Sequence, residues 1–425
     1  MSKKPTIVIV GAGFAGINLA KNISSKDADV ILLDRNNYHM FQPLLYQVAT
    51  GGLEASNIAY PIRKIFRKKK GFEFRMTEVK KVEFDKNRII TPIGNIHYDY
   101  LVIATGSTNN FFGLDPIKDN FKSLKSVTQA LEIRNTLMEN LENLNVTYQD
   151  EIKDEIFNIS IIGAGPAGVE IAGAIAEMKK NVLPKDFPTF DFTKMNIYLF
   201  EASSKVLAMM SPESSEAGLK YLEQLGVNVM LNSMVKDFDQ HNVILDDGTK
   251  YKSKTAIWTA GVQAAPIAGF VKDELIAGKR IKVNDYNQSI NYSNVFAIGD
   301  VSAHVTEEEP KGQPMLAQVA IQQGRLLGKN IIAHHRAQEM QSFEYDNKGI
   351  MATVGRNKAV AEIKKLKFKG FIAWFVWMAV HLMSLVGFRS KLMTLFDWTR
   401  SYFSYDRPLG AIIKSEDSIQ HEPYV

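Results

Sequence analysis

The chain has 425 residues, 45% apolar and 23% charged, with a net charge of +5 and no cysteine. That length allows two or three domains with sizeable cores, while the mild charge and the lack of a basic run interleaved with aromatics exclude an obvious nucleic-acid surface. The lack of cysteine excludes disulfides, thiolate metal sites, cysteine nucleophiles and the ordinary ligands of an iron–sulfur cluster.

Met1–Pro5 carries no charged-then-apolar leader, so the body of the chain is expected to fold in the cytoplasm. Thr6–Val10 is an apolar, β-branched run, the pattern of a buried parallel strand. Gly11, Gly13 and Gly16 follow at G-x-G-x-x-G spacing, and Phe14–Ile23 has helical periodicity. A second strand, DVILLD, ends in Asp34, 18 residues past Gly16. This order of strand, glycine turn, helix, strand and acid is that of a dinucleotide site. Gly11 permits the turn, Gly13 lets the backbone approach a pyrophosphate, and Gly16 lets helix and strand pack closely. The helix N-terminus presents N–H groups to the phosphates, and Asp34 can accept from ribose hydroxyls. The basic cluster Arg67–Lys70 reads as a solvated face or loop, with contact to anionic lipid as the alternative.

The pattern returns at Asn158–Ile162, followed by Gly163, Gly165, Gly168 and a helix. Its second strand, MNIYLFE, ends in Glu201, 33 residues past Gly168; the excess is an insert rich in Pro and Phe, Lys179–Phe192. YDYLVIATGS and KTAIWTAGVQ form a further echo. Each is an apolar strand ending in a small-residue turn, and their glycines, Gly106 and Gly261, lie 95 and 98 residues past the first fingerprint glycine. A third strand, SNVFAIGD, ends in Gly299-Asp300. The predicted architecture is α/β, with two Rossmann-like dinucleotide-binding domains of doubly wound sheet, the second inserted in the first. Residues 1–115 and 280–330 form the first domain, 116–279 the second, 331–407 a C-terminal module and 408–425 a polar tail expected to be disordered. Glu201 should repel a 2′-phosphate, which favours NADH over NADPH.

In this order the residues resemble the two-dinucleotide-binding-domain flavoproteins and, among them, the type II NADH:quinone oxidoreductases. Disulfide reductases and sulfide:quinone oxidoreductases work through cysteine sulfur and are set aside. Three stretches carry the narrower resemblance. Asn37–Arg63 resembles the segment beside the flavin ring, Met315–Gly324 the quinone-site helix, and Phe371–Trp398 the membrane-anchoring module. The resemblance implies non-covalent FAD at Gly11, Gly13, Gly16, Asp34, Arg35, Thr50, Gly106, Asp300, Ala317 and Gln318. It implies NADH at Gly163, Gly165, Gly168, Glu170, Glu201 and Gly261, and a membrane quinone at Gln318 and Gln322. Those two amides share a helix face at i, i+4, with Gln323 pointing elsewhere. Glu170 would orient the nucleotide or help relay protons; by position alone it is an acid favoured by the helix dipole. Hydride would pass from NADH to FAD, and two electrons on to the quinone, without proton pumping. No metal is expected, since the eight histidines show no ligand spacing.

Phe371–Phe388 has no charged residue apart from His381 and would make a helix of about 27 Å, short of a hydrocarbon core. Its Trp374, Trp377 and His381 suit an interface, and Phe371, Trp374, Met378, Leu382 and Leu385 recur at helical spacing. Lys391–Tyr405 sets Leu392, Leu395, Phe396, Tyr402 and Phe403 on one face against Asp397, Arg400, Ser401 and Ser404 on another. From Arg356 to Arg407 ten basic residues face three acidic ones, which favours an anionic lipid surface. The expectation is a monotopic protein on the cytoplasmic face of the membrane. A homodimer contact is the other use of the apolar helices. Two rival readings are a soluble NADH-dependent ferredoxin-type reductase and a redox-sensing binding protein like apoptosis-inducing factor. The aromatic, basic tail counts against the first, and quinone turnover would count against the second.

Overall fold

A computed structural model describes residues 4–146, 150–307, 309–405 and 411–412; the polar tail expected at 408–425 otherwise lies outside the described residues. The elements that place the site are, in chain order, β1 (Thr6–Val10), α1 (Phe14–Asn22), β2 (Asp29–Asp34), α2 (Leu45–Ala49), β3 (Phe72–Met76), β4 (Tyr100–Ile103), α3 (Val127–Val146), β5 (Ile159–Ile162) and α4 (Pro166–Asn181). They continue with β6 (Ile197–Phe200), β7 (Val227–Met230), β8 (Thr255–Trp258), β9 (Val295–Ala297), α5 (Ala317–His335), β10 (Ile350–Thr353), β11 (Ala359–Ile363), β12 (Leu366–Lys369), α6 (Gly370–Ser384) and α7 (Phe388–Ser404).

The chain divides into two units. One holds Met1–Met40, Ala59–Thr108 and Val262–Lys348; the other holds Phe41–Ile58, Asn109–Gly261 and Gly349–Val425. Each contains a five-stranded parallel sheet of the same design. In the first the order is β9-β4-β1-β2-β3, with Ile7 opposite Val30 and Val10 opposite Ile103. In the second, a two-residue edge strand, Lys122–Ser123, precedes β8-β5-β6-β7, with Ile159 opposite Ile197. A three-stranded antiparallel meander interrupts each unit, over Lys81–His97 before β4 and over Val235–Lys252 before β8.

Alternation along β1 fills two cores, as the two-residue strand period requires. Ile7 and Ile9 join Leu19, Leu327 and Ile331 on one face, while Val8 and Val10 join Ile89, Ile281 and Val301 on the other. Each such side chain contributes about 1.5–3 kcal/mol when fully buried. Helices α1 and α5 pack closely because Gly324 has no side chain; a Cβ there would stand 2.4 Å from the Ala15 carbonyl oxygen.

Several divisions fall where sequence spacing did not place them: Phe41–Ile58, expected in the first domain, lies in the second unit, and residues 262–279, expected in the second, lie in the first. Residues 331–348 belong with the first unit, because α5 runs on to His335 and the chain returns along it. Asn330 bonds both backbone groups of Gln341, at 2.8 and 3.0 Å. The C-terminal segment belongs with the second unit, where β10 meets α4 at Gly173: a Cβ there would lie 2.8 Å from the Gly355 nitrogen. The insert before Glu201 continues α4 to Asn181 and then packs its phenylalanines together, with Phe187 stacked on Phe190 at 5.6 Å.

The apolar run Phe371–Phe388 is not one helix. Helix α6 ends at Ser384, and a turn through Gly387 at φ 88° starts α7. At 15 residues, α6 is about 22 Å long. No helix among the described residues is long and apolar enough to cross a membrane.

Gly324→Ala should wedge α1 from α5 and cost about 1–3 kcal/mol. The expected readout is a lower urea midpoint with an unchanged slope.

Candidate active site

The two glycine turns are built alike. Gly11 and Gly163 have φ of +107° and +100°, and a Cβ at either would strike backbone, Ala104 O at 2.3 Å or Ala260 Cα at 2.3 Å. A Cβ on Gly16 or Gly168 would lie 1.9 or 1.8 Å from the carbonyl oxygen of Gly11 or Gly163. At Gly13 and Gly165 it would meet nothing within 4 Å. These middle glycines therefore border open space at the N-termini of α1 and α4, where no side chain caps the helix. Uncapped N–H groups beside open space fit a nucleotide pyrophosphate.

The expected acids brace these turns. Asp34 accepts from the N–H groups of Ala12 and Asn36, both at 2.7 Å. Glu201 accepts from Ala164 N–H at 2.7 Å and Ser203 N–H at 2.8 Å. Burial raises the Asp34 carboxyl above its ordinary range, against the pull of those N–H groups and of Arg35, which is itself exposed. His39 completes the first turn, and sequence reasoning missed it. Burial lowers its pKa to about 4, so the ring is neutral, and its Nδ1 faces Ala12 O at 3.0 Å. That carbonyl places the proton on Nδ1. In the second turn the matching carbonyl, Ala164 O, accepts from Leu207 N–H at 2.8 Å.

The remaining first-unit residues gather around β9 and α5. Ser107, next to Gly106, donates to Asp300 at 2.6 Å. Ala317 opens α5, whose N-terminus likewise has no side-chain cap. Gln323, buried at 1% exposure, accepts from Gly299 N–H at 2.7 Å, so it holds the turn that carries Asp300. Gln318 accepts from Lys348 N–H at 2.9 Å, and the Gln322 amide bonds both backbone groups of Asp346, at 2.9 and 3.0 Å. In the second unit the Phe112 ring lies over Gly261, where a Cβ would come within 2.7 Å of it.

Glu170 lies on α4 and is buried. Burial raises its pKa to about 8; the neighbouring Thr353 backbone and Trp377 indole pull the other way. The carboxyl is therefore mostly protonated at neutral pH. Beside it a cavity of about 360 Å³ is lined at one end by Tyr46, Thr50 and Trp377, all buried, and at the other by Phe371, Phe375 and Phe403, which are 56%, 62% and 80% exposed. Thr50, expected near the flavin, belongs to the second unit and donates from Oγ1 to Tyr46 O at 2.9 Å.

Helices α6 and α7 form the outer wall. Asn57 donates to Asp397 at 2.6 Å, Trp398 donates to Gln47 at 2.7 Å, and Arg356 donates to the carbonyls of Ser401 and Tyr402, both at 2.8 Å. A cation on the last carbonyls of α7 also suits its dipole. Asp397 and Trp398 of α7 thus face protein, while Arg400 and Ser404 of its polar side are exposed, as are Phe388, Leu392, Leu395 and Phe396. Helix α6 is apolar on both sides: Ala373 and Trp377 are buried, and Ile372, Phe375 and Met383 are exposed. His381 stacks on Trp377 at 4.0 Å, and burial lowers its pKa to about 4, so it too is neutral near pH 7. Of the ten basic residues, Arg356 caps α7, Lys391 bonds Met383 O, and Lys367 and Lys369 pair with Glu213. No cluster of three or more potential metal-binding side chains occurs among the described residues.

Paired sheets with paired nucleotide turns define a two-dinucleotide-binding-domain oxidoreductase. Residues 5–324 match the pyridine nucleotide-disulphide oxidoreductase family, and residues 347–405 match the NDH2 C-terminal domain. The chain is 34% identical over 420 residues to the type II NADH:quinone oxidoreductase Ndh of Mycobacterium tuberculosis, a match covering 95% of this chain and 89% of that protein. It is 27% identical over 369 residues to a type II NADH:quinone oxidoreductase of Staphylococcus aureus, covering 84% and 89% of the two chains. NDH2 from Plasmodium falciparum, solved in complex with NADH, shares the fold with a TM-score of 0.89 over 97% of this chain and 100% of that one, at 22% identity. The chain belongs to the type II NADH:quinone oxidoreductases. The resemblance read from its motifs is borne out, and cysteine chemistry has no place in it.

The raised pKa of Glu170 makes a stability prediction. The folded state keeps a proton that the unfolded chain releases near 4.5, so the group's contribution is fully present below that pH and is lost as pH rises towards about 8. Glu170→Gln should gain on the parent by up to about 1.4 kcal/mol per pH unit between pH 5 and 8. Urea melts across that range should show the difference.

Proposed function

We propose that the first unit holds FAD non-covalently, that the second holds NADH, and that the aromatic cavity of the second unit takes the head of a membrane quinone. FAD would bind with its pyrophosphate at Gly11, Gly13 and Gly16, and with Asp34 and Asp300 on its hydroxyls. Once bound, it would supply a ring able to accept hydride and pass on two electrons. NADH would sit at Gly163, Gly165 and Gly168, with the Glu201 carboxylate near the ribose. The observation that carries the quinone assignment is the cavity itself: its rim is exposed aromatic surface, and its buried end adjoins a carboxyl that stays protonated at neutral pH.

The protein's own groups divide the work. Glu170 holds a proton beside the buried end of the cavity, where reduction of a quinone to a quinol takes up two. Trp374, Trp377 and Trp398 line the cavity with flat apolar surface, which suits a planar ring and keeps water out. Gln318 and Gln322 come into the proposal as amides that would first have to release the Lys348 and Asp346 backbone groups. The exposed faces of α6 and α7 would lie in the lipid interface on the cytoplasmic side. A quinone with a long apolar tail could then enter without leaving the membrane. A second copy of the chain is the other occupant those faces fit.

Three measurements test this reading. Purified protein should be yellow; anaerobic NADH should bleach it, and a soluble quinone should restore the colour. A colourless native preparation would count decisively against it. Glu201→Arg should raise the ratio of kcat/KM for NADPH over NADH by about tenfold or more, with slower NADH turnover because the brace on Ala164 is lost. Replacing Phe388 and Phe396 by Ser should weaken sedimentation with anionic vesicles. If they serve only a subunit contact, vesicle binding will persist while the mass in solution falls.

A further inference from the structure

We infer that the Tyr46 hydroxyl donates a hydrogen bond to a carbonyl oxygen of the quinone, and that Gln47, clamped by Trp398, aims it. The inference rests on the reading that the quinone head enters the second-unit cavity.

A quinone head offers two carbonyl acceptors and no donor, so its site must supply donors within an aromatic wall. Tyr402, Thr399 and Ser401 line its more exposed part, and at the buried end the polar lining has few to give. Thr353 Oγ1 donates to Gly355 O at 3.1 Å, and Thr50 Oγ1 donates to Tyr46 O. Arg356 is committed to the end of α7, and Glu177 accepts from the Arg356 backbone N–H. The remaining chain of contacts runs from α7 to α2. An indole N–H can only donate, so the Gln47 atom 2.7 Å from Trp398 Nε1 must be the amide oxygen. That fixes the amide without ambiguity and leaves its NH₂ facing the Tyr46 hydroxyl at 2.9 Å. The phenol oxygen therefore accepts from Gln47, and its own proton faces the Thr353 hydroxyl oxygen, which it would exchange for a quinone carbonyl when the guest enters.

The surroundings keep that proton in place. Burial, followed by the charges of Glu170 and Glu177, raises the phenol well above its ordinary pKa, against the neighbouring Gln47 and Thr353. The hydroxyl thus remains a donor throughout the working pH range. The backbone is equally fixed: Thr50 bonds the Tyr46 carbonyl through both its N–H, at 3.1 Å, and its hydroxyl. Trp377 stands beside both Tyr46 and Trp398, with ring centroids at 6.4 and 5.9 Å. Tyr46, Gln47, Trp377 and Trp398 all line the one cavity. Trp398 is a donor on a helix whose opposite face is exposed, and it sets the aim of a group at the buried end.

The test uses the full-length holoenzyme and a short-chain 1,4-benzoquinone. Three of the chain's four tryptophans line the cavity, so a quinone bound there should quench intrinsic fluorescence saturably. Tyr46→Phe should raise the quinone Kd and KM by about three- to tenfold, the usual effect of losing one neutral hydrogen bond. Binding of a carbonyl-free naphthalene of similar size should stay level, which a merely distorted cavity would not allow. Gln47→Leu should give a smaller rise, and the double variant should match Tyr46→Phe alone, because aiming has no effect once the phenol is gone. Trp398→Phe, which keeps a ring but removes the N–H, should behave like Gln47→Leu and leaves a test in hand if Tyr46→Phe folds poorly. A quinone affinity of Tyr46→Phe within twofold of the parent overturns the donor role. Effects of Tyr46→Phe and Gln47→Leu that multiply overturn the aiming role. Failure of quinone to quench the parent at all removes the cavity reading and the inference with it.

Discussion

Each half of the chain is organised by a contact that only a missing side chain permits. Gly16 lies so close to the Gly11 carbonyl that a methyl group would overlap it, and Gly168 stands in the same relation to Gly163. This approach brings the first turn of a helix against the end of a parallel strand and leaves its N–H groups facing outward at the middle glycine. The other details of both turns serve that arrangement. An acid from the next strand holds the alanine N–H, and a donor from elsewhere, His39 or Leu207, holds the alanine carbonyl. Two turns with the same bracing, in sheets that share the order of four strands, argue for one pattern used twice.

The second unit adds a different kind of constraint, which is to keep charge out of an apolar space. Glu170 and His381 are both ionisable and both neutral near pH 7, through burial in each case. Arg356 is turned onto the end of α7 and Asp397 onto Asn57. What is left around the cavity is largely aromatic surface, with the Tyr46 hydroxyl as the donor at its buried end. Such a lining favours a flat, uncharged guest.

Much of this was legible in the sequence because glycine turns are local. Spacing alone placed the fingerprint glycines, Asp34 and Glu201, and the echoes at Gly106 and Gly261 placed the fourth strands. Contacts made by distant chain were not legible. The i, i+4 pattern put Gln318 and Gln322 on one face, but nothing in it foretold that residues 346 and 348 would return to occupy them. Gln323 was passed over, although it holds the Asp300 turn. Tyr46 and Gln47 sit in LLYQVA, which reads as a greasy helix; a lone amide in that run was the available signal. Gly387, which divides the C-terminal apolar stretch, was likewise visible but could not be weighed without its positive φ.

The way α7 is held has a practical consequence. Its hydrogen bonds to Asn57, Gln47 and Arg356 pin the inward side, so the helix cannot roll to hide Phe388 and Phe396 from water. Protein in plain buffer will be sticky and self-associate unless something apolar covers those rings. Detergent choice will therefore shape the apparent behaviour of this enzyme in the test tube.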